Sequence, residues 1–215
     1  MFPIYLLAIL YVSPDGSGQY PTIQSAVDAA LDGDEVHLSG LGGAYEGAGN
    51  WEVDLQGKAI KIKPAGDKGF PQFFCYDAPH TIFHIDQGEG RTTVLEGLYF
   101  GTILTAQGTI KIQGSSPTIR NCFFYGSETG PAIYCKDGDP YIVNCTLSEN
   151  DSPYILIDDG VTCVGLWDCA LDERDEIGTL NGGCYRIIHN GMEEPPGRPL
   201  AEKSASWGRI LSAYR

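Results

Sequence analysis

The sequence predicts an all-β chain wound as a right-handed parallel β-helix, with three-strand coils of about 22–24 residues and a short capping helix at its amino end. Three observations predict it. First, LEGLYF (95–100), IRNCFF (119–124), IVNCTL (142–147) and LWDCAL (166–171) align without gaps, and their starts step by 24, 23 and 24 residues. Second, the pairs Ile110/Ile112, Ile133/Cys135 and Ile155/Ile157 recur between those segments, in steps of 23 and 22. Self-similarity at a fixed period of this size is the mark of a solenoid. Third, glycine stands at 28 of 215 residues, roughly twice ordinary usage, which asks for many tight turns.

Each column of the repeat has a physical reading. The first, fourth and sixth positions are apolar in every copy, and Cys122, Cys145 and Cys169 fill three of the four places in the fourth. The third position is Gly97, Asn121, Asn144 and Asp168, the residue types that best tolerate left-handed backbone. A single left-handed residue bends a strand and resets its parity, so the first, fourth and sixth positions can all face inward. The Asn amides can then hydrogen-bond from coil to coil as an asparagine ladder. Cysteine suits a small apolar site just inside the bend. A Cys122–Cys145 disulfide is the alternative, although in-register parallel strands give it poor geometry. The isoleucine pairs alternate with Lys111, Tyr134 and Leu156, which face outward. Glycine-bearing turns follow at 113–116, 136–139 and 158–160.

Upstream, Ile23, Ala26, Val27, Ala30 and Leu31 fall at helical spacing, with Thr22 placed to cap the start and Gly33 just beyond the end. An amphipathic helix there would cover the open end of the solenoid. Early coils follow from residues 35–39, 51–55, 59–63, 72–76 and 81–85. The domain so defined spans 11–171. Residues 1–10, apolar but without a basic leader or small-residue cleavage site, are either the remnant of a secretion signal or a first strand, and are too short to span a bilayer. Residues 172–215 lack the coil pattern and read as a tail or cap, with Trp207, Ile210, Leu211 and Tyr214 on one helical face.

Composition narrows the partners. A formal charge of −14 repels nucleic acid and anionic membrane surfaces. The seven cysteines include no C-x-x-C, and His37, His80, His84 and His189 are scattered, so no zinc spacing stands out.

The stretch DGSGQYPTIQSAVDAALDGDEVHL, with FHIDQGEGRTTVLEGLYF and SPTIRNCFFYGS…GPAIYC…DPYIVNCTLSEN, resembles secreted bacterial right-handed β-helix repeat proteins of the pectin-lyase-like superfamily. The resemblance covers residues 11–171. It implies the fold and a secreted or cell-surface location. It does not imply one activity, because the superfamily includes lyases, hydrolases, esterases, epimerases and proteins with no demonstrated reaction. The entry stretch is also similar to pectin methylesterases, but their Gln-Asp and Asp-Phe-x-x-Gly motifs are absent, and in Gly197-Arg198-Pro199-Leu200 a leucine replaces the expected tryptophan. Of the polygalacturonase set only an adjacent Asp pair, Asp158-Asp159, is present. Asp77-Ala78-Pro79-His80 only distantly echoes the Asp-Pro-His-Glu of alginate epimerases.

Two constellations face outward. Glu96, Arg120 and Trp167 precede the bend, and Tyr99 and Phe123 follow it. Together they suggest an aromatic strip for stacking sugar rings, with an acid and a guanidinium to bond hydroxyls or carboxylates. The alternative is a surface covered by protein. In the stacked turns, Asp137, Asp139, Asp158 and Asp159 are either solvated surface or ligands for Ca²⁺. The expected function is thus a non-catalytic secreted or surface protein that binds polysaccharide or another extracellular partner. The alternatives are a polysaccharide lyase or glycoside hydrolase on acidic glycan, and a truncated fragment of a longer surface β-helix protein.

Overall fold

The structure, a computed structural model, describes residues 7–66, 69–105, 107–150, 153–158, 163–171, 177–180, 184–189 and 192–193. Three parallel sheets run along one axis. The first takes Ile9–Val12, Glu35–Leu38, Lys61–Pro64, Val94–Glu96, Thr118–Arg120, Tyr141–Val143, Cys163–Trp167 and Cys184–His189 in chain order, and ends on the antiparallel strand Met192–Glu193. The second contains Gln72–Cys75, Tyr99–Leu104, Phe123–Tyr125, Thr146–Ser148 and Ala170–Leu171, with Ser127–Glu128 beside Leu104. The third contains Val53–Asp54, Phe83–Ile85, Ile110–Gln113, Ile133–Lys136, Ile155–Asp158 and Ile177–Leu180. Each strand pairs with its equivalent one coil away: Ile119 lies between Leu95 and Ile142, and Ile142 pairs onward with Leu166. The chain is a parallel β-helix, consistent with the right-handed coil expected from its sequence.

The bend column takes the backbone the sequence asked for. Gly97, Asn121, Asn144 and Asp168 have φ of 65°, 55°, 49° and 50°. Position 97 is glycine for a second reason, since a Cβ there would fall 2.9 Å from Cγ of Pro64 in the preceding coil. The backbone N–H groups at the bends keep the coil-to-coil hydrogen bonding of the sheet, Asn121 N–H to Val143 O and Asn144 N–H to Trp167 O. One amide rung joins the side chains, Asn144 Nδ2 donating to Asn121 Oδ1 at 2.8 Å. Cys122, Cys145 and Cys169 are buried free thiols, so the disulfide alternative is not realised. Each thiol instead points at a carbonyl of the preceding coil, those of Leu95, Ile119 and Ile142. Burial pushes the Cys145 thiol well above its ordinary pKa.

Inside the coil, the sixth repeat position builds an aromatic column. Tyr45, Phe73, Phe100 and Phe124 stack in turn at centroid separations of 5.4, 5.2 and 4.8 Å, and Phe83 meets Phe73 and Phe100 edge-on. Offset and edge contacts of this kind are the favoured aromatic geometries. One carboxylate is buried among the turns after the third-sheet strands. Glu89, 1% exposed, accepts from the backbone N–H groups of Gly57 and Gln87 and from the Ser115 hydroxyl, at 2.9, 2.9 and 2.8 Å. Three donors from three successive coils make that burial tolerable.

The cap helix is Ile23–Ala29. The Thr22 hydroxyl accepts from Ser25 N–H while the Ser25 hydroxyl accepts from Thr22 N–H, a reciprocal capping box. Ile23, Ala26 and Val27 are buried against Ile9–Val12, Glu35–Leu38 and Val53–Asp54. Leu31, expected on the buried face, is 64% exposed, because the chain turns extended at Ala30. The segment 1–10 contributes Ile9 and Leu10 to the first strand; residues 1–6 lie outside the described residues. The solenoid pairing also runs past Leu171: Ile177–Leu180 pairs with Ile155–Asp158, and Cys184–His189 with Cys163–Trp167. Gly178 and Thr179 break the apolar alternation there, and Ile187 follows its partner Leu166 after a shortened coil, so the column is hard to see in sequence. The helical face at 207–214 lies outside the described residues.

Candidate functional site

Strand parity decides which side chains leave the coil. In the second sheet, Tyr99 and Phe123 are register partners on adjacent strands. Their rings stack at 5.3 Å with planes 6° apart. The strip extends on both sides: Phe123 to Tyr125 at 6.4 Å, Tyr99 to Phe74 at 6.1 Å, and Phe74 to Tyr76 at 5.8 Å. Phe74 lies over Gly101, where a Cβ would overlap its ring. Tyr76 and Tyr125 are 62% and 42% exposed. Burial pushes the Tyr99 phenol up, and the nearby Tyr125 and Tyr76 add to the shift. Beyond Phe123 the same row continues with Thr146 and Ala170, so the aromatic surface ends there.

The residues before the bend belong to the first sheet. Arg120 Nη2 donates to Glu96 Oε2 at 2.6 Å, joining neighbouring strands. Trp167 lies two coils further along, tilted on Tyr141 at 5.5 Å, and Tyr141 in turn carries the Arg91 guanidinium 3.1 Å from its ring centroid, a cation–π contact. The structure therefore brings Tyr99 together with Phe123 on the second sheet and Glu96 with Arg120 on the first, while Trp167, further along the first sheet, joins a separate cluster with Tyr141 and Arg91. Near the amino end of this first-sheet face, Glu35 is held by His37 at 2.9 Å, Lys63 at 2.8 Å and Lys61 at 3.2 Å. His37 and then Lys63 lower its carboxyl to about 2 against the opposing effect of burial.

The turn carboxylates do not gather as one group among the described residues. Asp139 accepts from Arg91 at 2.7 Å. Asp158 accepts from the Tyr134 hydroxyl at 2.6 Å and lies 3.7 Å from Lys136 Nζ. Asp137 takes a left-handed φ of 52° in its turn, and Asp159 lies outside the described residues.

A second cluster is invisible in the linear spacing. Glu52 Oε1 takes His80 Nδ1 at 3.0 Å and Oε2 takes His84 Nε2 at 2.5 Å, while Thr81 N–H donates to Oε1. Burial alone would raise the Glu52 carboxyl, but His84, His80 and Thr81 together hold it below its ordinary value. Trp51 stacks on the His80 ring at 4.9 Å. Two histidines that read as scattered thus share one acid, because the pairing of Val53–Asp54 with Phe83–Ile85 sets residue 52 beside this turn. The early coil is longer than the regular repeat, which hid the match. His84 also belongs to a row of register partners along the third sheet, Asp54, His84, Lys111, Tyr134 and Leu156.

No protein-family model matches this chain, and no curated protein matches it by sequence. Among solved structures it is similar to a rhamnogalacturonan lyase, with 15% identity and a TM-score of 0.43, over 82% of this chain and 62% of that one. The chain therefore spans less than two thirds of that structure's length. At this identity and TM-score the similarity leaves activity to be argued from the residues. No helix among the described residues is long and apolar enough to cross a membrane.

Proposed function

We propose that this chain is a secreted or cell-surface β-helix that binds polysaccharide, without turnover, along the outer face of its second sheet. The observation that carries the proposal is the stacked Tyr99–Phe123 pair, extended by Phe74 and the exposed Tyr76 on one side and the exposed Tyr125 on the other. A continuous stack of half-buried rings presents apolar edges along the outer face, its exposed end rings Tyr76 and Tyr125 offer their faces to sugar units, and the tyrosine hydroxyls offer polar contacts to sugar hydroxyls. The Glu96–Arg120 pair around the bend adds one acceptor and one donor group beside the row. A net charge of −14 favours a neutral glycan over a polyanionic one.

Affinity electrophoresis through gels cast with neutral and acidic polysaccharides, with and without calcium, tests the proposal. Expected is retardation of the wild-type chain in a neutral gel, lost in the Tyr99→Ala/Phe123→Ala double variant and kept in Trp167→Ala. Equal retardation of the double variant, or none for the wild type in any gel, overturns it. A cleared zone around the wild-type band would replace binding with lysis or hydrolysis.

A further inference from the structure

We propose that Cys75, Asp77 and His80 form a binding site for a single thiophilic divalent metal ion of the zinc class, at the end of the strand that carries Phe74 of the aromatic row. The strand Gln72–Cys75 ends at a buried Cys75. The turn that follows returns to place the Cys75 sulfur, an Asp77 carboxylate oxygen and a His80 ring nitrogen all within 4.8 Å of one another. The sulfur is 3.9 Å from Asp77 Oδ1. Zn–S and Zn–O bonds of ordinary length at a tetrahedral angle put sulfur and oxygen roughly 3.5 Å apart. The sulfur–oxygen pair is therefore within about 0.4 Å of that spacing, and the His80 nitrogen, within 4.8 Å of both, needs to move in by no more than roughly 1.5 Å to close the site around an ion.

The surroundings of His80 are those of a positioned ligand. Glu52 holds Nδ1 at 3.0 Å, the arrangement by which carboxylates orient metal-bound imidazoles. Trp51 packs on the face of the ring at 4.9 Å, and His80 N–H donates to Leu104 O at 3.0 Å, fixing the backbone. Glu52 is itself braced by Thr81 N–H and His84. Three protein ligands leave a fourth tetrahedral position, and the exposed Asp77 keeps that side open to water. A thiolate with an imidazole selects zinc, cobalt or a similar ion over calcium or magnesium, which prefer oxygen. The ligand spacing, Cys-x-Asp-x-x-His, fits none of the usual cysteine-pair patterns.

Titration of the reduced full chain with Co²⁺ tests the site. Expected are a thiolate-to-cobalt charge-transfer band and visible d–d bands saturating at one equivalent, both displaced by Zn²⁺ and unaffected by excess Ca²⁺. Asp77→Asn, at an exposed position, and His80→Asn should each weaken cobalt binding by more than about 10-fold, and Glu52→Gln by about 10-fold through loss of ring orientation. Cys75→Ser should abolish the charge-transfer band. Because Cys75 is buried, its result counts only where the variant keeps the wild-type circular dichroism; Asp77→Asn decides otherwise. Absence of a charge-transfer band overturns the proposal, and so does a band that persists unchanged in both Asp77→Asn and His80→Asn, which would put the ion on other cysteines.

Discussion

Replacing Asn144 by alanine and, separately, by glycine resolves the two tasks of the bend residue. Its φ is 49° and its Nδ2 donates to Asn121 Oδ1 at 2.8 Å. Alanine keeps a Cβ but has no local hydrogen bonding to offset left-handed backbone, which costs about 1–2 kcal/mol. It also loses a solvent-exposed hydrogen bond worth about 0.5–1 kcal/mol. The expected destabilisation is about 2 kcal/mol. Glycine loses the same hydrogen bond and about 0.5 kcal/mol through the greater freedom of the unfolded chain, but it meets no steric penalty, for a total of about 1 kcal/mol. The assay is urea unfolding of the reduced full chain followed by tryptophan fluorescence. With an m-value of about 2 kcal/mol per molar urea, the alanine midpoint should fall about 0.5 M below the glycine midpoint. An alanine variant as stable as the glycine variant would refute the claim that left-handed geometry selects this column.

Phe124→Ala removes the end ring of the interior stack and should cost about 3–5 kcal/mol; a loss under about 1 kcal/mol by the same unfolding assay would mean that the column is not close-packed. Gly97→Ala should destabilise more than Asn144→Ala, since its Cβ would press on Pro64 at 2.9 Å in addition to the left-handed strain, and pairing it with Pro64→Ala should recover part of the loss. Glu35 makes stability depend on acid. Its folded pKa of about 2 lies below the ordinary 4.5 of a free glutamate, so its contribution is full above pH 4.5 and lost as pH falls toward 2. Thermal melts should show Glu35→Gln less stable than wild type at pH 6 and the two curves converging near pH 2, and a constant gap across that window would contradict the assignment.

Residues 95–171 were legible because every strand there carries its own parity and every bend its own residue type. Parity also exposed Tyr99 and Phe123 as outward neighbours before any coordinates. It could not show that Trp167, two coils further on, belongs to the cluster of Tyr141 and Arg91. The early coils were legible as strands but not in register, because turn lengths set which residues face each other there. Glu52 therefore met His80 and His84 without a signal in the spacing. Glu89, within the polar run DQGEGR, reads as a loop charge. Its burial depends on donors from turns on either side of it in sequence, which composition does not reveal. Leu31 shows the converse limit: helical spacing continued for one residue after the backbone had already turned away.

The buried Glu89 carboxylate has a bearing on how the solenoid opens. In a linear stack, each coil could fray independently of all but its neighbours, with its own local opening free energy. Here the middle of three turns holds an acceptor for the turn before it and for the turn after it, and Gly88 N–H returns a bond to Ser115 Oγ. Peeling any one of the three away strands charge or donors in the other two. The amides of Gly57, Gln87 and Gly88, distant along the chain, should then exchange with deuterium as one cooperative unit, turning a one-dimensional stack locally into a three-coil clasp.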